Sequence, residues 1–368
     1  MPWMPKNPSR SLNAGEQFAL DRSQRISLAR IASEAGVSAQ TVSRVMNGHT
    51  SVAPGTRRRI EEIVKARNYR RNLLVSGILK GQTKTVGVIA SLEGLYYPRI
   101  ITGIHNELAA NGYGLLLSCD VDPIVTPNLE EQLVHIHRLV ERRVDGIILR
   151  LADDAAPENY LREIELAQIP VVMLERPFPH RREHFHLVSS QNFEGAREAA
   201  NLAIQHGHRI AGYLGAHSSI VPSMERCAGL RQAFVDNDLT PNLVEVYAEN
   251  WNFPREFAFR LLQANPRPTV VFCVSDDAAP SIYEAAQILK LRIPEDLSVV
   301  GFGNLPLVMN PPLTSVEQFP KEVGRTAARL LLDDLTAKEK IPPIVRRVET
   351  RLVERQSLGP VAERSTSP

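Results

Sequence analysis

The sequence predicts a small all-α head followed by an α/β body of two lobes, each built on a parallel sheet. Three observations lead to this fold class: helix-sized amphipathic segments between Ile26 and Tyr69, short β-rich runs alternating with helical segments from Thr85 onward, and a change of charge between the two parts. The 368 residues are 43% hydrophobic and 23% charged. That composition is typical of globular chains, and the length allows more than one core.

Charge is distributed unevenly along the chain. Between Arg22 and Lys84 there are 13 Lys and Arg residues against 3 Asp and Glu, a net charge of +10, whereas the rest has 30 against 38, a net −8. A basic segment on an acidic body indicates contact with a polyanion, because phosphate neutralisation supplies most non-specific nucleic-acid affinity. A merely solvated basic surface is the alternative that charge alone leaves open.

Both ends of the chain are predicted to be mobile. Residues 1–24 are rich in Pro, Ser and Asn without a sustained period, and residues 357–368 contain no leucine heptad that would form a tetramerisation helix. No apolar run approaches the roughly 20 residues that span a bilayer. Because Pro2, Pro5 and Pro8 lie where a signal peptide has its apolar stretch, we expect a cytoplasmic protein.

Three short helices are predicted in the head, residues 25–70. Ser27 is positioned to cap the first helix, which Gly36 ends, and Ser38 is positioned to cap the second. The third is expected over about residues 56–68. Two helices joined by a tight Gly-Val-Ser turn are typical of a helix-turn-helix.

The second predicted helix has one apolar and one polar face. Val42 and Val45 face the core, which leaves a continuous polar stripe on the outside. Gln pairs bidentately with adenine, small polar side chains suit phosphate oxygens, and Arg reads guanine or clamps the backbone. A three-helix interaction domain without DNA is the alternative. The candidate DNA-contacting residues are Ser38, Ala39, Gln40, Thr41, Ser43, Arg44, Asn47 and, on the third helix, Arg57.

The head resembles that of a known family. The strings IASEAGVSAQTVSRVMNG and SVAPGTRRRIEEIVKARNY, at residues 31–48 and 51–69, are similar to the LacI/GalR (lactose/galactose repressor) family. The similarity continues through RNLLVSGILKGQTKTVGVIA and, more loosely, to about residue 355. The resemblance implies a sequence-specific transcriptional regulator, usually a repressor. It would bind near-palindromic operator DNA as a homodimer under the control of a small-molecule effector.

The resemblance also implies a hinge at residues 71–84. In the family this stretch forms a helix on operator DNA and inserts an apolar wedge into the minor groove, a general device for bending the duplex. Arg71 replaces a usual Pro, and Gly77 lowers helix propensity by about 1 kcal/mol relative to Ala, so this hinge is expected to order less readily. A flexible linker is the alternative. The implied additional DNA contacts are Tyr69, Asn72 and, at the wedge position, Ile78.

Seven β-rich runs follow, and helical segments separate most of them: TVGVIA, GYGLLLS, VDGIIL, IPVVML, RIAGYLG, TVVFCV and LSVVGFG. This pattern predicts parallel sheets with crossover helices, in two successive lobes that bind ligands at the carboxyl ends of their strands. The resemblance implies a periplasmic-binding-protein-like sensor with two Rossmann-like lobes and an effector between them. The expected N-lobe covers about residues 85–187 and 318–346, and the expected C-lobe about 188–317 and 347–356.

The resemblance places nine side chains in the cleft between these lobes. Many family members have Gly-Phe-Asp-Asp where this chain has GFGN, so Gly303 replaces a ligand-accepting carboxylate. The cleft would thus contain two arginines and one carboxylate fewer than in those family members. This balance favours an anionic effector such as a phosphorylated or acidic sugar, because guanidinium groups bind such anions bidentately. Core packing or loop bracing is the alternative for each residue. The nine are Tyr96, Tyr97, Arg150, Glu175, Arg226, Trp251, Ser275, Asp276 and Gln318.

Enzyme motifs are not found in the sequence. It has no GxGxxG after a strand, no phosphate loop and no Gly-x-Ser-x-Gly elbow. The pairs of His residues have no third ligand nearby, and Cys119, Cys227 and Cys273 lack metal-ligand spacing, so we expect reduced thiols and no metal or cofactor. The alternative function is a regulator whose sensor binds no small molecule and answers to a partner protein.

Overall fold

The computed structural model divides the chain into two units, residues 1–81 and 82–368. The predicted mobile extension, most of the hinge, and Asn72, Ile78 and Trp251 lie outside the described residues. The structure describes residues 27–69, 82–119, 128–153, 156–180, 182–216, 220–248 and 252–361.

The head consists of three helices, α1 (Leu28–Glu34), α2 (Ala39–Met46) and α3 (Pro54–Ala66). The Ser27 hydroxyl accepts from the Arg30 amide and the Ser38 hydroxyl from the Thr41 amide, each at 3.2 Å. Both predicted N-caps are therefore confirmed. The third helix begins two residues before the predicted start, because Pro54 occupies the first turn, where its missing N–H costs nothing.

A small apolar core holds these three helices together. Ile31, Val42 and Ile60 are fully buried, one from each helix, and Tyr69 packs against their cluster from the chain that follows α3. Helix-to-helix packing of this kind fixes the outward face of α2, because Val42 and Val45 anchor its inner face.

The second unit alternates strands and helices. Short 3₁₀ turns at Arg182–His184 and Asp276–Ala278 interrupt the pattern. In chain order its elements are β1 (Thr85–Ile89), α4 (Tyr97–Ala110), β2 (Gly114–Ser118), α5 (Leu129–Glu141), β3 (Gly146–Leu149), α6 (Arg162–Leu166), β4 (Val171–Leu174), β5 (His186–Ser190), α7 (Asn192–Gln205), β6 (Ala211–Gly215), α8 (Val221–Asp236), β7 (Leu243–Tyr247), α9 (Arg255–Leu262), β8 (Val270–Cys273), α10 (Ala279–Ile288), β9 (Ser298–Gly303), β10 (Thr314–Glu317), α11 (Pro320–Thr336), β11 (Val345–Val348) and β12 (Arg351–Val353).

These strands form two six-stranded sheets, one in each lobe. The first has the order β11-β5-β4-β3-β1-β2 and is parallel throughout. The second has the order β12-β10-β9-β8-β6-β7, in which only β12 runs antiparallel to its neighbour. The chain passes between the lobes three times: after β5, after β10 and between β11 and β12.

All seven predicted β-rich runs contain a strand, but five further strands were not predicted. Among them, β7, β11 and β12 lie at sheet edges, where side chains are partly exposed and the apolar signal is diluted. The runs TSVE and HLVSS of β10 and β5 mix polar residues into fully or largely buried strands. Hydrophobic patterning alone therefore underestimates both sheets.

The start of the stretch expected to be a mobile tail is packed into the second lobe. Ser357 and Leu358 are buried, and the Ser357 hydroxyl accepts from the Thr314 amide at 2.8 Å and donates to the Val299 carbonyl oxygen at 2.6 Å. The predicted boundary at residue 357 is therefore wrong for residues 357–361. The sequence there is polar and contains Pro, which is typical of a mobile tail, but the segment is hydrogen-bonded to two strands.

His208 lies at the corner between α7 and β6. Its Nδ1 lies 2.9 Å from the Thr269 hydroxyl, and its Nε2 lies 3.1 Å from the Ser298 hydroxyl and 3.0 Å from the Gly359 carbonyl oxygen. Burial lowers the pKa of this imidazole to about 4. His208 is thus a neutral structural residue that joins the chain end to the second sheet.

Within the described ranges, no group of three or more His, Cys, Asp and Glu side chains is arranged to hold a metal ion. Cys227 and Cys273 are buried thiols, and Cys119, directly after β2, is half-buried. No helix among the described residues is both long and apolar enough to cross a membrane.

Candidate DNA-binding surface and effector cleft

The outer face of α2 carries exposed side chains that are free to reach beyond the head. Ala39 and Gln40 stand exposed at the start of the helix, and Arg44 stands exposed one turn later. Residues four apart share a helix face, so Gln40 and Arg44 point to the same side. The head therefore presents an amide and a guanidinium side by side, as the polar stripe predicts.

Other polar side chains of the stripe bond within the head. The Ser38 and Thr41 hydroxyls lie 2.9 Å apart, and the Asn47 amide donates to the Ser43 carbonyl oxygen at 2.7 Å. The first contact joins two side chains, and the second adds a donor to a carbonyl oxygen that already accepts from the Asn47 backbone amide. Ser38 and Asn47 flank α2 as its N-cap and C-cap, and Thr41 and Ser43 lie within the helix, partly buried.

Arg57 connects α3 to the loop after α2. Its guanidinium donates to the His49 carbonyl oxygen, and it lies 3.8 Å from the Glu61 carboxylate one turn later. Arg57 is half-buried, whereas its neighbours Arg58 and Arg59 are exposed. The structure thus gives Arg57 a loop-bracing contact and leaves the other two arginines extended into solvent.

The sensor contains a cavity of about 290 Å³ at the carboxyl ends of strands from both sheets. Seven of the nine predicted effector residues line it, while Trp251 lies outside the described residues and Asp276 is not part of the lining. The lining residues are Ser91, Glu93, Gly94, Leu95, Tyr96, Tyr97, Arg150, Glu175, Arg176, Pro222, Arg226, Ser275, Asp277, Phe302, Gly303, Leu305 and Gln318.

Arg226, in the second turn of α8, is held in a fixed orientation at the wall of this cavity. Its Nε donates to the Asn192 Oδ1 at 2.9 Å, and its Nη1 donates to the Val274 carbonyl oxygen. The guanidinium carbon lies 3.9 Å from the centroid of the Phe302 ring, close enough for a cation–π contact. Burial lowers the pKa of the Arg226 guanidinium from its ordinary value, and the nearby Tyr213 and Glu175 oppose that shift.

A hydrogen-bonded network faces Arg226 from the first lobe. The Tyr96 hydroxyl donates to the Glu175 Oε1 at 2.7 Å, and the Gln318 amide donates to the Tyr96 oxygen at 3.2 Å and to the Ser190 hydroxyl at 3.1 Å. Burial raises the pKa of the Glu175 carboxyl, an effect that the bond from Tyr96 and the charge of Arg226 reduce. The network connects the ends of β4 and β5 with the segment after β10, where the chain passes back to the first lobe.

Asp276, which was predicted to contact the effector, is not part of the cavity lining. It is buried beneath the cavity, where it accepts from the Leu305 amide and the Ser315 hydroxyl, each at 2.6 Å. Burial raises the pKa of its carboxyl to about 6. The next residue, Asp277, lines the cavity instead, because the 3₁₀ turn at this point directs successive side chains to different sides.

Gly303 lines the cavity with a φ of +134°, a backbone conformation that residues with a side chain rarely adopt. A residue with a side chain at position 303 would therefore be strained in this conformation. A Cβ at this position would lie 3.3 Å from the Leu305 side chain.

One buried cation of the site was missed by sequence reasoning. Arg176 follows Glu175 at the end of β4 and is 5% exposed. Its position directly after a buried strand was an available signal, since ligand contacts gather at strand ends. The buried charged lining thus consists of Arg150, Arg176 and Arg226 against Glu175, whereas Glu93 and Asp277 are exposed.

A helix-turn-helix head joined to a two-lobed body with a polar cavity defines a ligand-responsive DNA-binding protein. Residues 27–72 match the bacterial regulatory proteins of the lacI family, and residues 200–358 match the periplasmic binding protein-like domain. The HTH-type transcriptional repressor PurR of Edwardsiella ictaluri is 31% identical over 338 residues, covering 89% of this chain and 96% of that protein. The chain belongs to the LacI family of transcriptional regulators.

Other similarities agree with this assignment. PurR of Vibrio vulnificus is 31% identical over 317 residues, covering 84% of this chain and 92% of that protein. A structure titled as a complex of the transcriptional regulator CelR with cellobiose has a TM-score of 0.65 at 27% identity, covering 90% of this chain and all of that one. A lac repressor dimer bound to operator and the anti-inducer ONPF has a TM-score of 0.77 at 23% identity, covering 91% of this chain and all of that one, and shows the shared fold.

Proposed function

We propose that this protein is a transcriptional repressor that binds near-palindromic operator DNA as a homodimer and changes its operator affinity when a small anion occupies the cleft. The observation that supports an anionic effector is the set of buried charged groups in the cavity lining, which has three guanidiniums and one carboxyl group. Buried guanidinium groups favour a ligand of opposite sign, because they form strong charge-assisted hydrogen bonds with phosphate and carboxylate.

The head supports the operator part of the proposal. Gln40 and Arg44 are exposed on one face of α2, and those side-chain types read adenine and guanine in the major groove. A single recognition helix reads only a few base pairs, so two-fold protein symmetry would extend the site into a near-palindrome. The PurR relatives are named as repressors, which supports repression rather than activation of transcription by this protein.

The hinge contact is carried over from the family resemblance. We propose that Ile78 wedges into the minor groove and that Tyr69 and Asn72 contact the adjoining backbone. An Ile78→Ala variant should bend operator DNA less and bind it more weakly, yet bind the effector normally, because the wedge touches only DNA. An unchanged bend angle would make this stretch a simple tether.

The cavity favours a sugar-sized anion. Its volume of about 290 Å³ suits a small molecule, and Tyr97 and Phe302 give it aromatic walls, while Arg150 and Arg226 supply donors for phosphate or carboxylate. The Ser275 hydroxyl is buried in the lining and has no hydrogen-bond partner among the described residues, so it is available to a ligand. On this chemistry we propose a phosphorylated or acidic sugar as the effector and carbohydrate-related genes as the targets.

Calorimetry across neutral sugars, sugar acids, sugar phosphates and purines tests the proposal. We expect one of the anionic compounds to bind the full-length protein, and Arg150→Ala and Arg226→Ala to weaken that binding. Tight binding of a neutral sugar or free purine with no binding of anions would contradict the charge argument. If no compound in the panel bound, control by a partner protein would become the better account.

A further inference from the structure

Four polar side chains form a continuous row that connects the two lobes beside the cavity. Arg347, on β11 of the first lobe, donates to both oxygens of Glu225 on α8 of the second lobe, at 2.8 and 3.2 Å. The Glu225 Oε2 accepts from the Asn192 amide nitrogen at 3.0 Å. The Asn192 Oδ1 accepts from the Arg226 Nε at 2.9 Å, so the row ends on the cavity wall.

The row has a fixed donor-to-acceptor direction because of Asn192. Its side chain has a donor at one end and an acceptor at the other, and the donor faces a carboxylate while the acceptor faces a guanidinium. A flipped amide would place a donor against a donor and an acceptor against an acceptor. Glu225 and Arg226 therefore favour the same amide orientation of Asn192, and Asn192, together with the Val274 carbonyl oxygen, holds the Arg226 guanidinium in its rotation.

Burial increases along the row toward the cavity. The side chains of Arg347 and Glu225 are 37% and 23% exposed, whereas Asn192 is fully buried and Arg226 is 5% exposed. Solvent screening is thus strongest at the cross-lobe pair and weakest at the effector arginine. A hydrogen bond made inside the protein is harder to replace with water, so the inner members depend on the outer pair for their geometry.

We propose that Arg347 and Glu225 are positioning residues for the effector: the cross-lobe ion pair orients Asn192, and through it Arg226. The proposal rests on the proposed function, in which Arg226 binds an anion. Arg347 is the one member of the row that belongs to the first lobe, so a change of angle between the lobes alters the row at that point. By linkage, an anion that prefers the oriented Arg226 favours the lobe arrangement in which the pair is formed.

The test distinguishes orientation of Asn192 and Arg226 by the cross-lobe pair from a simple charge attraction between the two lobes. Arg347→Gln removes the pair. Arg347→Glu combined with Glu225→Arg restores opposite charges across the lobes but places a donor against the Asn192 amide nitrogen, which reverses the required direction. Arg346→Gln is the matched control, since Arg346 is exposed on the same strand and makes no ion pair among the described residues.

Two measurements on the full-length parent and variants test the proposal. The first is the Nε–H NMR signal of Arg226 in arginine-labelled, ligand-free protein, assigned by its loss in Arg226→Lys. The second is the affinity for inorganic phosphate by calorimetry. We expect Arg347→Gln and the charge swap to shift or broaden the Arg226 signal and to weaken phosphate binding about threefold to fivefold, and Arg346→Gln to match the parent.

An Arg226 signal that is unchanged in Arg347→Gln would overturn the proposal, and so would a charge swap that restores both readouts, since that would show an ordinary ion pair between the lobes. The NMR measurement needs no ligand. If the parent did not bind phosphate, the anionic effector would be in doubt while the row would still be tested.

Discussion

The α2 face and the sensor cavity both use arginines and amides, but they hold them in opposite ways. Gln40 and Arg44 stand exposed on the head, whereas Arg226 is almost fully buried and bonded on several sides. An exposed side chain adapts to a long polyanion at little cost in desolvation. A buried and pre-oriented one selects a small ligand, because its geometry is set before binding.

That difference has an energetic consequence. Contacts on the head should be individually weak, additive and sensitive to salt, since they lie in water. Contacts in the cavity should be strong, cooperative and less sensitive to salt, since each buried polar group depends on its partners. The following substitutions test the contrast.

The largest effect is expected for Arg226→Ala. The change removes a buried cation and leaves the Asn192 and Val274 oxygens without that donor, so effector affinity should fall about 100-fold or more. Calorimetry with the compound found in the panel measures this loss. Operator binding by the ligand-free variant serves as the control and should stay close to the parent value. A loss below threefold would show that Arg226 is a structural residue.

A second large effect is expected at low pH through His208. Its pKa in the folded protein is lowered to about 4 from an ordinary 6.5, so the neutral ring stabilises the fold above pH 6.5. That stability is lost as the pH falls from 6.5 toward 4, by about 3 kcal/mol at most. Urea unfolding of the parent and of His208→Gln across this range measures it. The variant should be less stable at pH 7 and show a flatter profile, and identical slopes would refute the assignment.

A moderate effect is expected for Gln40→Ala on the head. Losing a bidentate contact to one base should cost about 1–3 kcal/mol on the preferred operator and less on a site altered at that base pair. Binding to a set of single-base operator variants shows the change. An equal loss on every sequence would place Gln40 on the phosphate backbone instead.

The smallest effect is expected for Arg58→Ala. Arg58 is exposed at the start of α3, and removing one phosphate contact should weaken all sequences alike and reduce the slope of log affinity against log salt by about 1. The half-buried Arg57 provides a useful contrast, because Arg57→Ala also releases the loop at His49. Arg57→Ala should therefore lower head stability as well, which a thermal melt detects.

The head was predictable in more detail than the cavity because its signals are local. Two serine caps, a glycine turn and the spacing of Val42 and Val45 lie within one short stretch, and the structure has each where the spacing predicts it. The exposed face of α2 follows directly from that spacing, since only one face of a short helix can pack.

The cavity depends on residues far apart in sequence, and its details escaped prediction. The family resemblance indicated Arg150 and Glu175, but the turn after β8 decides that Asp277 and not Asp276 lines the cavity. The row from Arg347 to Arg226 spans more than 120 positions of the chain and has no local pattern. Packing between lobes determines such contacts, and a single sequence carries no direct signal for them.

Operator binding measured with and without the anionic compound tests the central claim most directly. Fluorescence anisotropy of labelled operator with the full-length parent should show a change in affinity of about 5- to 150-fold on adding the compound, and little or no change with Arg226→Ala. A neutral sugar at the same concentration should leave the parent unaffected. The account would be contradicted if the neutral sugar changed operator affinity and the anion did not, or if Arg226→Ala responded to the anion as the parent does.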